Sequence, residues 1–255
     1  MNAVLAELAR GLGETLFPPV CVHCRELVEA PRDADASAAA GFRHLCNRCV
    51  AQLEFVRAPH CSTCGHPFYG ELVEDTERMC PHCEGLMPAF REGRTAVLFK
   101  GPARALVIEL KYHRGLHVLA DVGGIFRRAP RVLEQVRGGV LVPVPLHPRK
   151  QRHRGYNQTE LLAEQLAKAA GGNTRIERLL QRTADTATQT AFDRRTRQVN
   201  LKNAFALAGG AALIPGQHYI LVDDVFTTGS TLNSCALVLR RAGCVNLDVV
   251  TFGHG

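Results

Sequence analysis

Twelve consecutive residues, Ile220-Leu221-Val222-Asp223-Asp224-Val225-Phe226-Thr227-Thr228-Gly229-Ser230-Thr231, combine the groups that hold a phosphorylated sugar. An apolar run leads into two adjacent carboxylates, then into small hydroxyl residues around one glycine. A helical pattern follows, with Leu232, Cys235, Ala236 and Leu239 on one face and Arg240, Arg241 and Gly243 as its stop. The segment therefore reads as buried strand, loop, helix. Such a loop gathers backbone N–H groups and the positive end of a helix dipole at one point, which suits a phosphate. The hydroxyls of Thr227, Thr228, Ser230 and Thr231 add donors. Asp223 and Asp224 suit sugar hydroxyls or a hydrated Mg²⁺. Phosphate beside diol describes a 5-phosphoribosyl group. A plain strand-to-helix turn would account for a capping Thr228 or Ser230, but not for the paired carboxylates. The spacing also departs from a Walker loop, which needs two glycines and a following lysine.

Cysteines form the second chemical cluster. Eight of ten stand in Cys-x-x-Cys pairs: Cys21/Cys24, Cys46/Cys49, Cys61/Cys64 and Cys80/Cys83. Two intervening residues let both sulfurs turn toward one ion, and two such knuckles complete a tetrahedral thiolate site for Zn²⁺. The separations within successive pairs of knuckles, 21 and 15 residues, fit zinc ribbons. Cys21, Cys24, Cys46 and Cys49 are assigned to one structural zinc, and Cys61, Cys64, Cys80 and Cys83 to a second. Spacing alone leaves crossed pairing, or one vestigial site, open. With four thiolates per ion, the nearby His23, His44, His60, His66 and His82 read as neighbours rather than ligands. Cys235 and Cys244 read as core residues.

The elements that position these groups follow from pattern. Residues 95–99 read as a strand, 101–111 as a helix closed by the basic Lys111-Tyr112-His113-Arg114, and 116–129 as a further helix with a weak point at Gly123-Gly124. Residues 139–144 form a second buried strand. It runs into a long basic loop, 145–158, ahead of a helix over 159–170. Short strands at 176–180 and 205–207 flank a polar stretch of about twenty residues, a length that in a compact domain is usually functional or mobile. The last strand covers 244–252. Strands alternating with helices imply a mostly parallel sheet covered on both faces. Both anion-suited loops fall at carboxyl ends of strands, where doubly wound sheets bind ligands.

Charge divides the chain. Residues 1–90 carry 7 Lys/Arg against 12 Asp/Glu, whereas residues 91–255 carry 24 against 12. The second part therefore calls for anionic partners: phosphorylated small molecules, nucleic acid, or the acidic part of the same chain. No apolar run reaches about 18 residues, so no transmembrane helix is expected. Apolar residues at helical spacing over residues 1–17 are interrupted by Glu7, Arg10 and Glu14, which reads as a docking helix rather than a signal peptide. Reduced cysteines without such a signal point to the cytoplasm.

Hydrophobic strand, Asp-Asp, three residues and Thr-Gly-x-Thr resembles the phosphoribosyl pyrophosphate signature of type I phosphoribosyltransferases. The cysteine pairs, Lys111-Tyr112, Arg154-Gly155-Tyr156-Asn157-Gln158, and Gln189, Arg194, Arg197 and Asn200 narrow the resemblance to the ComF family of competence-associated proteins, over nearly the whole chain. The resemblance implies an α/β fold: a phosphoribosyltransferase-like doubly wound parallel sheet over residues 91–255, preceded by a small N-terminal zinc-ribbon module over residues 1–90. It implies that Asp223 and Asp224 hold the ribose, that Thr227, Thr228, Gly229, Ser230 and Thr231 hold the 5-phosphate, and that Val144, Pro145 and Leu146, with Arg149, Lys150, Arg154 and Lys111 nearby, hold pyrophosphate beside Mg²⁺. A mobile loop bearing Arg194 and Arg197 would close over the reacting centre. The role of Lys111-Tyr112 does not follow from the sequence, where a cationic helix end is an equal explanation. The activity implied is transfer of phosphoribose to an unspecified acceptor, in association with DNA uptake. The alternative is a non-catalytic nucleotide sensor or single-stranded-DNA-binding competence factor that works with DNA-uptake proteins. The absence of Trp and few aromatics leave that alternative few stacking platforms.

Overall fold

A computed structural model describes residues 18–28, 41–69, 80–183 and 204–255. The expected N-terminal docking helix and Gln189, Arg194, Arg197 and Asn200 lie outside the described residues.

Five strands form one sheet in the order β1-β7-β6-β2-β3: β1 (Gly93–Leu98), β2 (Val140–Pro143), β3 (Arg175–Ile176), β6 (His218–Phe226) and β7 (Asn246–His254). Every pairing in it is parallel. A separate antiparallel pair, β4 (Leu180–Arg182) and β5 (Phe205–Leu207), flanks it. The helices are α1 (Asn47–Val50), α2 (Gly101–Tyr112), α3 (Leu119–Arg127), α4 (Pro130–Val136), α5 (Pro148–Arg154), α6 (Gln158–Ala170) and α7 (Ser230–Arg241). None of the described helices is long and apolar enough to cross a membrane.

Strand alternation divides the core. Ile220 and Val222 of β6, with Leu141, Val250 and Phe252, face Leu106, Ile125 and Leu162 of α2, α3 and α6. Tyr219 and Leu221, with Val140, Val142, Leu247 and Val249, face Leu232, Cys235 and Leu239 of α7. Burial on both faces is why these strands are continuous apolar runs rather than alternating ones. From β2 the chain moves outward to β3, and from β6 it moves outward to β7 on the other side. The order of winding therefore reverses between β2 and β6, which is where a doubly wound sheet opens a crevice at its carboxyl edge.

Three expectations need correction. Residues 176–180 are not one strand: Ile176 closes β3 in the parallel sheet, and Leu180 opens β4 in the separate pair. Residues 145–158 are not wholly loop, because α5 occupies their centre. Pro148 stands in its first turn, Nδ1 of His147 accepts from the Arg149 amide at 3.3 Å, and Gly155 ends it at φ 91°. The run of cations hid the helix because none of its residues is buried. Gly123 and Gly124 are also not a break. Helix α3 runs through them, and a Cβ on Gly124 would meet the Phe42 ring at 3.3 Å. The glycine lets the ribbon segment approach.

The ribbons dock on the sheet domain of the same chain. Residues 54–56 lie antiparallel along the outer edge of β1, with Val56 N donating to Ala96 O at 3.0 Å and Leu98 N to Glu54 O at 2.9 Å. The buried Asp121 carboxylate of α3 accepts from the Arg43 and His44 amides at 2.8 and 2.7 Å. Asn233 of α7 accepts from the Ala89 amide at 2.7 Å and donates to the Met87 carbonyl at 2.9 Å. Cys21, Cys46 and Cys49 join the α2/α3/α6 core, and Cys61, Cys64 and Cys80 join the α7 core.

Candidate functional site

Strand β6 delivers its two carboxylates to opposite sides of the sheet, as alternation requires. Asp224 is 6% exposed and points with Val222 toward α2 and α6. There it accepts from Lys111 Nζ and from Gln158 Nε2, both at 2.8 Å. Lys111 closes α2 and Gln158 opens α6, so one carboxylate ties together three elements. Asp223, half-buried, lies on the α7 side and accepts the Asp224 amide at 2.8 Å. Burial, reinforced by the neighbouring Asp224 charge, pushes its carboxyl up to about 7 against the pull of Lys111 and Arg182.

Beyond Phe226 the chain turns through Thr227, Thr228 and Gly229 into α7. Gly229 is left-handed, with φ 70°, and a Cβ there would meet Phe226 Cζ at 2.6 Å and Leu86 Cδ2 at 2.9 Å. Only glycine fits that backbone and that contact. The N-cap Gly229 has no side chain to cap α7, the Thr228 hydroxyl accepts the Ser230 amide only at 3.4 Å, and the first amides of any helix lack intrahelical acceptors. The Thr228 and Ser230 hydroxyls stand 2.9 Å apart beside them. This end of α7 offers amides, hydroxyls and dipole to an anion.

Across the β2–β6 crevice, a cavity of about 550 Å³ is lined by Lys111, Arg114, Arg149, Lys150, Arg154 and Arg182, with Leu146, Gln158 and Tyr112. The segment Arg154 to Gln158 holds one wall. Arg154 bonds Gln158 and lies 5.9 Å from the Tyr112 ring centre. Gly155 supplies the left-handed helix end, and Tyr156 Oη donates to Leu110 O at 2.6 Å. Asn157 caps α6, and its Nδ2 donates to Val144 O at 3.1 Å while Thr159 Oγ1 donates to the same carbonyl at 2.6 Å. Gln158 reaches Asp224. Each residue of this motif therefore has a geometric task.

The structure brings Lys111, Leu146, Arg149, Lys150 and Arg154 to this one cavity, beside Asp224. Val144 sits differently from Leu146: its amide donates to Val222 O and its carbonyl is taken. Pro145 has no N–H to offer. Tyr112, Arg114 and Arg182, together with the Gln158 contact to Asp224, escaped the sequence reading of the site. Their partners lie far along the chain, 66 residues away for Gln158 and Asp224, and no local spacing signals that.

The cysteines group as Cys21, Cys24, Cys46 and Cys49, and as Cys61, Cys64, Cys80 and Cys83, the sulfurs of each set lying within 4.8 Å of one another. This removes crossed pairing. A tetrahedral Zn²⁺ site with bonds of about 2.3 Å has sulfurs about 3.8 Å apart. Cys24–Cys46, Cys61–Cys83 and Cys64–Cys80 stand at 3.5, 3.8 and 3.7 Å. Both donor sets fit zinc, and four thiolates leave no position for water, so the centres are structural. The Cys21/Cys24 and Cys61/Cys64 knuckles repeat one design: Cys21 N and Cys61 N donate to Glu26 O and His66 O at 2.8 Å, and Arg25 and Gly65 follow in left-handed conformation.

Residues 12–84 match a double zinc ribbon domain model. The chain is 29% identical to Competence protein F of Haemophilus influenzae over 90% of its own length and 94% of that protein. It is 31% identical to DNA utilization protein YhgH of Salmonella typhimurium, over 82% and 88% respectively. It is 22% identical to Competence protein ComFC of Bacillus subtilis, over 78% and 79%. Among solved structures, a hypoxanthine phosphoribosyltransferase from Staphylococcus aureus aligns with 52% of the chain and 62% of its own, at a TM-score of 0.34 and 14% identity.

Proposed function

The chain belongs to the ComF family, and on that premise we propose that it binds phosphoribosyl pyrophosphate with Mg²⁺ and transfers phosphoribose to an acceptor in competence and DNA utilization, the processes its relatives are named for. One observation carries the reading. The left-handed Gly229 loop and the Asp223-Asp224 pair stand at the carboxyl end of β6, where the strand order reverses, and Lys111 and Gln158 of a six-cation cavity bond Asp224 there. The loop takes the 5-phosphate, the carboxylates take the ribose diol, and the cations take the pyrophosphate. Mg²⁺ binds through one or two carboxylates together with substrate phosphates, and Asp223, once ionised, fits that donor role. In the transfer, the bond from the anomeric carbon to a pyrophosphate oxygen breaks as the bond to the acceptor forms. Lys and Arg of the cavity neutralise the charge that grows on the leaving group, where one well-placed donor is typically worth roughly 3–4 kcal/mol.

The test is calorimetric titration of the zinc-loaded chain with phosphoribosyl pyrophosphate, with and without Mg²⁺, beside Asp223→Asn. Magnesium-dependent binding that weakens at least tenfold in the variant is expected. No binding by either protein sinks the proposal. A second reading, a binding protein for single-stranded DNA, draws on Tyr112. It is 71% exposed at the cavity rim under Arg154, an arrangement on which a base stacks. Salt-dependent oligonucleotide binding that persists in Asp223→Asn would favour it.

A further inference from the structure

Three imidazoles meet where the second ribbon touches the end of the sheet. His66 follows the Cys61/Cys64 knuckle, His82 lies inside the Cys80/Cys83 knuckle, and His254 ends β7. The rings of His66 and His82 stack at 4.1 Å, and each stands 4.8 Å from the ring of His254, at 72° and 87°. One ring nitrogen from each lies within 4.8 Å of the other two. His254 is 3% exposed, and its Nε2 is buried with no hydrogen-bond partner. A buried polar atom left without a partner is costly, so its position needs a reason. The other side of the ring is fixed by Phe226, stacked on it at 5.3 Å, and the backbone around it by the bond from Phe99 N to His254 O at 2.7 Å. His254 is held rigid with one nitrogen facing two more imidazoles.

We propose that His66, His82 and His254 form a third metal site, distinct from the two four-cysteine centres, for a divalent transition ion of the zinc class. Imidazole nitrogen suits Zn²⁺, and three such ligands leave a fourth position open. A tetrahedral site asks for nitrogens roughly 3.4 Å apart, a contraction that rotation of the partly exposed His66 and His82 side chains supplies. The ion would clasp the second ribbon to the carboxyl end of β7, one stacked ring away from Phe226 and the Thr227–Thr231 loop. The site differs from its neighbours in ligand chemistry: it has no thiolate, and it exchanges metal more readily than the closed centres.

The test is a Co²⁺ titration of the full chain with both cysteine centres already filled by Zn²⁺, followed by visible absorption and by metal analysis. Wild-type protein should take one further equivalent, with ligand-field bands and no thiolate charge-transfer band. His254→Gln, His66→Gln and His82→Gln should each bind Co²⁺ at least tenfold more weakly while keeping two zinc per chain, which also reports that each variant is folded. His66 and His82, partly exposed, keep the test sound if the buried variant misfolds. No added equivalent in the wild type, or one that all three variants retain at full affinity, overturns the site.

Discussion

Asp223→Asn should stabilise the ligand-free protein, and more so at alkaline pH. The native Asp223 carboxyl stands at about 7 against an ordinary value of 3.8, because burial and the Asp224 charge oppose its ionisation. A raised carboxyl contributes its stability below the unfolded value and loses it as pH rises through the folded one. At 1.36 kcal/mol per unit, the full loss above pH 7 is about 4 kcal/mol, of which about 1.5 kcal/mol is already present at pH 5. Asparagine, neutral throughout, escapes the loss and still accepts the Asp224 amide. The gap between variant and wild type should therefore widen by roughly 3 kcal/mol between pH 5 and pH 8. At about 2–4 °C per kcal/mol for a chain of this size, that is a difference in Tm of roughly 6–12 °C, read by calorimetry in excess zinc. The same substitution should remove magnesium-dependent ligand binding, so the residue would hold stability down while serving the site. A gap that stays flat with pH, or a variant less stable at pH 8 than the wild type, refutes the reasoning.

Three further outcomes are expected. Gly229→Ala forces a side chain into a left-handed backbone and against Phe226 and Leu86. It should cost about 1–3 kcal/mol by chemical denaturation and abolish phosphate binding by the loop. Lys111→Met leaves the buried Asp224 carboxylate without its cation and should cost about 3 kcal/mol; Asp224→Asn in the same background should restore most of it, since no charge then remains unpaired. Removing zinc with a chelator should unfold ribbons and sheet in one calorimetric transition, because the cysteines share both cores with the sheet, and a structural zinc is worth on the order of 10–16 kcal/mol. A residual second transition would show an independent sheet domain.

What the sequence discloses depends on how far apart the partners lie. The Gly229 loop, α7 from Ser230 onward and the cysteine knuckles are written in neighbouring residues, and they stand where spacing puts them. Helix α5 is hidden because four Lys/Arg, a histidine and a proline read as loop, although His147 and Gly155 mark its ends. The Lys111–Asp224 pair spans 113 residues and the Asn233 bond to Ala89 spans 144; no periodicity encodes either. The same holds for the ribbon's seat, where Asp121 serves residues 43 and 44, and for His254, whose two imidazole neighbours come from the other end of the chain.

The strand-like segment at Phe55 has a consequence for how the protein behaves as a colloid. A parallel sheet ends in two rows of unpaired amides and carbonyls that recruit other chains. One end here is β3, only two residues long. The other is β1, and residues 54–56, held between the two zinc knuckle pairs, lie along it. Zinc thus determines whether that row is covered. Cells short of zinc would make a chain in which β1, whenever it forms, has no cover, and its failure would be seen first as aggregation rather than as lost binding.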